Sequence, residues 1–203
     1  MKKYVLMLSA LFVTLGSLFA QDGYQVGDYA RDFSLNSIEG KQVSLSDFSD
    51  AKGFIVVFTC NTCPYAKMYE QRVKDLQKDY AGKGYPVIAI NPNCPERSPG
   101  DAMAEMQARA QEKDFNFVYL QDESQEIAKA YGATNTPHTY VLKKEAPGKF
   151  RVAYIGAIDN NYKDASKADV KYVREAIDAL EAGRKVPTTS SKAIGCTIKW
   201  KIS

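Results

Sequence analysis

Two of the chain's four cysteines, Cys60 and Cys63, stand in the run Cys60-Asn61-Thr62-Cys63-Pro64. That spacing lets two sulfurs close a small disulfide ring. The run follows Gly53-Phe54-Ile55-Val56-Val57-Phe58-Thr59, an apolar stretch rich in β-branched and aromatic residues that reads as a buried strand. It precedes Ala66, Tyr69, Val73, Leu76 and Tyr80, whose spacing of three and four makes one apolar helix face. The pair therefore sits where a strand turns into a helix. Free backbone N–H groups and the positive end of the helix dipole favour a thiolate there. Such surroundings move a cysteine pKa from about 8.5 into the range of roughly 3.5–7.5, giving a nucleophile at neutral pH.

A CxxC pair also serves as half of a zinc site or as an inert crosslink. A structural zinc needs about four ligands. The chain has no second CxxC and no HxxxH, Cys94 and Cys196 are isolated, and His138 is the only histidine. The strand–CxxC–helix context favours redox chemistry, with no metal and no cofactor.

The elements that must position this pair fit in one domain, for which 203 residues suffice. Residues 1–20 read as a secretory signal: Lys2 and Lys3 open it, an apolar run from Val5 to Phe19 follows, and Ala20 is small. The run is short for a membrane span, so no stable membrane insertion is expected after cleavage. A short basic signal fits a bacterial source, with the mature protein secreted across the inner membrane into the periplasm. Loss of Lys2 and Lys3 takes the formal charge from +3 to +1. That balance gives no electrostatic case for nucleic acid or an anionic membrane. All four cysteines would enter an oxidising compartment.

Tyr24 to Phe48 reads as an extended entry, with strand candidates at Asp32–Leu35 and Lys41–Leu45 joined by a turn at Glu39-Gly40. After the CxxC helix, Pro86–Asn91 reads as a second buried strand, parallel to the first because a helix separates them. A Pro- and Asn-rich loop carries Cys94. Ser98-Pro99-Gly100-Asp101 then opens a helix running to about Lys113, whose Met103, Met106 and Ala110 read as core. Phe117–Leu120 is a strand, and Asp122 caps a short helix to Tyr131. Pro137–Leu142 and Lys149–Ile155 form a hairpin around Pro147-Gly148, and a last helix spans about Asp169 to Ala182. The expected division is 1–20 signal, 21–187 redoxin domain and 188–203 a tail docked on that domain.

This order of elements resembles the thioredoxin superfamily. It is most similar to secreted thioredoxin-like redoxins of the alkyl-hydroperoxide-reductase and thiol-specific-antioxidant, TlpA-like branch. The residues carrying the resemblance are Val26-Gly27-Asp28, Asp32-Phe33-Ser34-Leu35, Gly40, Val43 to Phe48, Cys60 to Pro64, Thr136-Pro137 and Gly195-Cys196-Thr197-Ile198-Lys199-Trp200. The resemblance implies an α/β thioredoxin-like fold, a central mixed sheet flanked by helices, with an N-terminal hairpin extension. It implies a thiol–disulfide oxidoreductase in which an exposed Cys60 attacks and a more buried Cys63 resolves. Its partners would be protein or small-molecule disulfides and thiols. It also implies a cis Pro137 facing the CxxC, with Thr136 offering backbone hydrogen bonds to a bound peptide.

Several positions depart from the thioredoxin pattern. Thr59 stands where Trp is usual, Asn61-Thr62 replaces Gly-Pro, and Phe54 occupies the position of the buried acid. Glu70 is the nearest carboxylate on the helix. Pro64 pushes Cys63 away from helical angles, so Cys63 fits as the helix cap with Pro64 at the first position. That arrangement resembles the Cys-Pro of peroxiredoxins and keeps a thiol peroxidase using Cys63 as the alternative. Against it, the Pro and Thr of that pattern are replaced by Val56 and Cys60. A metal-handling module using Cys60, Cys63 and His138 is a third reading. Cys94 and Cys196 are possible auxiliary thiols: either could join the redox chemistry, or the two could staple the tail. Lys67 and Tyr65 flank the motif.

Overall fold

The computed structural model describes residues 23–202. The signal segment read at 1–20 lies outside them. In chain order come β1 (Tyr29–Ala30), β2 (Leu35–Ser37), β3 (Gln42–Val43), β4 (Gly53–Phe58), α1 (Pro64–Tyr80), β5 (Val87–Asn91) and α2 (Met103–Glu112). They are followed by β6 (Val118–Gln121), α3 (Glu126–Tyr131), β7 (Asn135–Thr136), β8 (His138–Ala146), β9 (Lys149–Gly156), α4 (Tyr172–Glu181) and β10 (Cys196–Thr197).

Eight strands form one sheet in the order β1-β9-β8-β4-β5-β6-β2-β3. The β4–β5 and β5–β6 pairs are parallel, and the β4–β8 and β8–β9 pairs are antiparallel. Each parallel pair is bridged by a helix, α1 or α2, as a parallel connection requires. The parallel pairing expected for the second buried strand is observed, and so is the mixed sheet flanked by helices. The N-terminal hairpin is β2 with β3, added beyond β6.

Burial explains why β4 lies near the middle. Phe54 to Phe58 are all fully buried, so both faces of the strand are covered. Phe54, Val56 and Phe58 point into one layer with Ile88, Ile90, Tyr131, Tyr140 and Phe150. Ile55 and Val57 point into the other, where Tyr69, Val73, Leu76 and Tyr80 of α1 meet Val173 and Ile177 of α4. The period-two alternation of the strand and the three-to-four spacing of α1 thus meet at one interface. This fixes the junction between them, which is where the two cysteines lie.

Among the elements that differ from expectation, one bears on the site and one on the sheet edge. The helix read from Ser98 to Lys113 is split: a 3-10 turn spans Pro99–Asp101, and Ala102 is extended at φ −66°, ψ 156° before α2 begins. Asp101 faces inward and is fully buried, and its carboxylate holds the CxxC loop instead of serving a helix. The strand Tyr29–Ala30, unanticipated within the entry segment, closes the opposite sheet edge by pairing with Arg151 and Phe150 of β9.

Candidate active site

β4 delivers Cys60 at the end of the sheet, and α1 begins four residues later, at Pro64. Cys63 is the N-cap of this 17-residue helix, at φ −76° and ψ 124°, with Pro64 at its first position. Cys60 Sγ lies 3.1 Å from Thr136 Oγ1, and the Cys63 thiol reaches the Thr136 carbonyl oxygen at 3.1 Å. The Thr136–Pro137 bond is cis, and the structure places this loop against the CxxC.

The loop itself is pinned from below. Asp101 accepts the Asn61 backbone N–H at 2.7 Å and the Thr62 hydroxyl at 2.7 Å. It also accepts from Ser98 Oγ at 2.6 Å, Asn93 Nδ2 at 2.9 Å and Asn91 Nδ2 at 3.1 Å. Burial works against its charge, but the bonds from Ser98, Asn93, Thr62 and Asn61 outweigh it and hold its carboxyl below the ordinary range. Asp101 is the functional residue that sequence reasoning missed. Its signal was present in Ser98-Pro99-Gly100-Asp101, read only as a helix start.

Electrostatics separate the two cysteines. The Cys60 S–H is the strongest influence on Cys63; burial opposes it, and the Cys196 S–H and Ala66 N–H add donors, bringing Cys63 down to about 5. Cys60 moves the other way, because its hydrogen bond to Cys63, its burial and the Asp101 charge all favour the thiol. The Thr136 carbonyl, an acceptor, favours a protonated Cys63. Against it, the position of Cys63 at the N-terminus of α1 favours its thiolate. The exposed Cys60 and more buried Cys63 implied by the thioredoxin resemblance are corrected: Cys60 is 3% exposed and Cys63 2%.

The C-terminal segment covers the pair. Its strand β10 pairs with β7, setting Cys196 opposite Thr136 and Thr197 opposite Asn135. Cys196 packs against Cys60, Cys63 and Ala66. Gly195 makes this approach possible, since a Cβ there would stand 2.2 Å from the Thr136 oxygen. Beyond it, Ile198 donates to the Thr134 carbonyl and is buried, and Trp200 packs on the core.

The other residues singled out in the sequence fall elsewhere. Cys94 donates to Glu96 at 2.8 Å, and its N–H meets the Lys199 carbonyl at 2.9 Å. It is not joined to Cys196, and all four cysteines are free thiols. His138 pairs across the sheet with Phe58, its Nδ1 unpartnered, and burial lowers its pKa to about 4. Among the described residues no group of three or more His, Cys, Asp or Glu side chains is arranged to hold a metal ion. Glu70 is engaged by Arg109 at 2.6 and 3.0 Å, and Lys67 is exposed.

The mixed sheet with α1 behind the cysteines and a cis-proline loop in front of them is a thioredoxin-like fold. The profile of the AhpC/TSA family matches residues 26–151, and the chain belongs to that family. A solved structure of an uncharacterised conserved protein from Geobacillus kaustophilus is similar at TM-score 0.80 and 35% identity, covering 88% of this chain and 94% of that one. The thioredoxin-like protein YneN of Bacillus subtilis is 31% identical over 61% of this chain and 68% of its own. The thiol-disulfide oxidoreductase ResA of Geobacillus thermodenitrificans is 25% identical over 85% of this chain and 91% of its own.

Proposed function

We propose that the protein is an exported thiol–disulfide oxidoreductase working through Cys60 and Cys63 on protein or small-molecule disulfides and thiols. The observation that carries this reading is the placement of Cys63 as helix cap beside Cys60, with Thr136 against both sulfurs. The name of the ResA relative agrees with it. The Cys63 thiolate attacks one sulfur of a partner disulfide and expels the first partner thiolate. Cys60 then loses its proton and attacks Cys63 Sγ, expelling the second. The partner disulfide is reduced to two thiols, and the Cys60–Cys63 disulfide holds the oxidising equivalents. Run backwards, the same steps donate that disulfide. Thr136 and Pro137 form the rim at which the partner chain meets the sulfurs.

Export rests on Lys2, Lys3 and the apolar run to Phe19. Among the described residues no helix is long and apolar enough to cross a membrane.

A redox titration of the protein, with alkylation and mass mapping of each cysteine, tests the reading. A reversible Cys60–Cys63 couple is expected, with exchange lost in Cys63→Ser and that couple lost in Cys60→Ser. A couple near about −270 mV marks a reductant and one near about −120 mV an oxidant. A pair that never cycles overturns it. The Cys63-Pro64 cap also supports a second reading, a thiol peroxidase; fast peroxide oxidation of Cys63 would favour it, and sluggish oxidation removes it.

A further inference from the structure

β10 lies where a bound chain would lie. The resemblance to thioredoxins implies that Thr136 offers its backbone to a partner peptide, and in this structure that backbone is already paired. Cys196 is in register with Thr136, the residue whose carbonyl and hydroxyl face the two CxxC sulfurs. The chain thus presents its own cysteine to Cys63 on an added antiparallel strand, the mode by which extended peptides dock on sheet edges. Three thiols, Cys60, Cys63 and Cys196, meet in one cluster with Ala66.

We propose that Cys196 is a third redox-active cysteine: held by β10 as an internal substrate, it competes with Cys60 to resolve disulfides formed on Cys63. This rests on the oxidoreductase reading. With a small-molecule disulfide such as oxidised glutathione, the Cys63 thiolate attacks one sulfur and expels glutathione thiolate, leaving glutathione joined to Cys63. Cys196 then loses its proton to solvent and attacks Cys63 Sγ. The Cys63–Cys196 bond forms, and the second glutathione leaves as a thiolate. Two protein thiols are oxidised and one disulfide is reduced.

The surroundings favour this order of events. Cys196 is held protonated by burial, by its hydrogen bond to Cys63 and by the charge on that sulfur, which together bring it up to about 11. Once Cys63 enters a disulfide the second and third causes vanish. Burial, the first cause, remains, so Cys196 is easier, not free, to deprotonate once there is a bond for it to attack. The docking is anchored on both sides of Cys196. Ser191 Oγ contacts Tyr154 OH at 2.6 Å and accepts from Ala157 N at 3.0 Å, and Ile198 donates to Thr134 at 3.1 Å.

The test treats the wild-type chain, Cys60→Ser and Cys60→Ser/Cys196→Ser with oxidised glutathione, then quenches and maps disulfides by mass. In Cys60→Ser, loss of glutathione from Cys63 and appearance of Cys63–Cys196 supports the proposal, with the adduct retained in the double variant. Glutathione retained equally in both variants overturns it, and a Cys60–Cys63 disulfide in the wild type then leaves the oxidoreductase reading standing. A wild type that forms neither disulfide overturns both. Should Cys60→Ser fail to fold, the wild-type chain quenched during oxidation gives the same decision from the presence or absence of Cys63–Cys196. Gly195→Ala, which puts a methyl group against the Thr136 oxygen, is expected to lower that yield; an unchanged yield overturns the role of the β10 register.

Discussion

Asp101 accepts the backbone N–H of Asn61 at 2.7 Å, so the residue after Cys60 is tied to a carboxylate forty positions further along the chain. The same side chain takes the Thr62 hydroxyl, and Asn61 Oδ1 accepts from Tyr119 OH at 3.0 Å. The two residues between the cysteines are therefore held by buried partners on both sides, and the spacing of the sulfurs does not depend on the loop alone.

Replacing Asp101 by Asn sets an amide nitrogen against donors from Ser98, Thr62 and Asn93 or turns it on Asn61 and Asn91. An expected loss of about 2–3 kcal/mol follows from leaving buried donors unpaired. Denaturant unfolding of the reduced protein measures it. Removing the charge also relieves one of the three influences that keep Cys60 protonated, so the Cys60 pKa should fall.

The thiolate assignment has a direct spectroscopic signature. Ultraviolet thiolate absorbance should titrate with a midpoint of about 5, appearing as pH rises through that value. In Cys60→Ala the strongest donor to Cys63 is gone, and the midpoint should move up toward the ordinary thiol value of about 8.5. An unchanged midpoint in that variant would show that Cys60 is not the group that lowers Cys63.

His138 gives the fold a dependence on acid. Its pKa is about 4 in the folded chain, against about 6.5 when exposed. Between those values the unfolded chain binds the proton and the folded chain does not, so stability rises with pH across this window and is lost on acidification. The full effect is about 3.4 kcal/mol, at 1.36 kcal/mol per pKa unit. Comparing urea midpoints of the wild type and His138→Gln from pH 7 to pH 4 isolates it, since other titrating groups are common to both.

Release of the tail should expose the sulfurs. Ile198 is 3% exposed and packs in the same layer as Tyr131 and Phe58. Truncating it to Ala weakens the closed state by roughly 2 kcal/mol, which raises an open population by about thirtyfold. Alkylation of Cys63, measured under conditions where opening limits the reaction, should accelerate by a comparable factor.

Much of this architecture was legible in the residues. The run from Phe54 to Phe58, the α1 spacing and the Cys63-Pro64 cap each state a local preference that the tertiary structure keeps. What escaped the sequence is contact between distant segments. Nothing near Asp101 says that its carboxylate reaches Asn61, and the split of the following helix comes from that reach. Nothing near Cys196 says that its strand partner is Thr136, because a two-residue strand carries no periodic pattern. The exposure expected of Cys60 failed for the same reason: a distant tail covers it.

The entry segment closes both ends of the large sheet. β1 and β3, its outermost strands, are two residues long each, one set against β9 and the other against β2. Edges this short give a foreign strand little to grip, which guards the sheet against stacking with other copies of itself. The second, two-stranded sheet plays by different rules, because β10 is borrowed from the chain's own end. If another polypeptide docks as the proposed function has it, recognition becomes a contest between self and guest for the Thr136 backbone, and the hold of β10 sets how strongly a guest must bind to win.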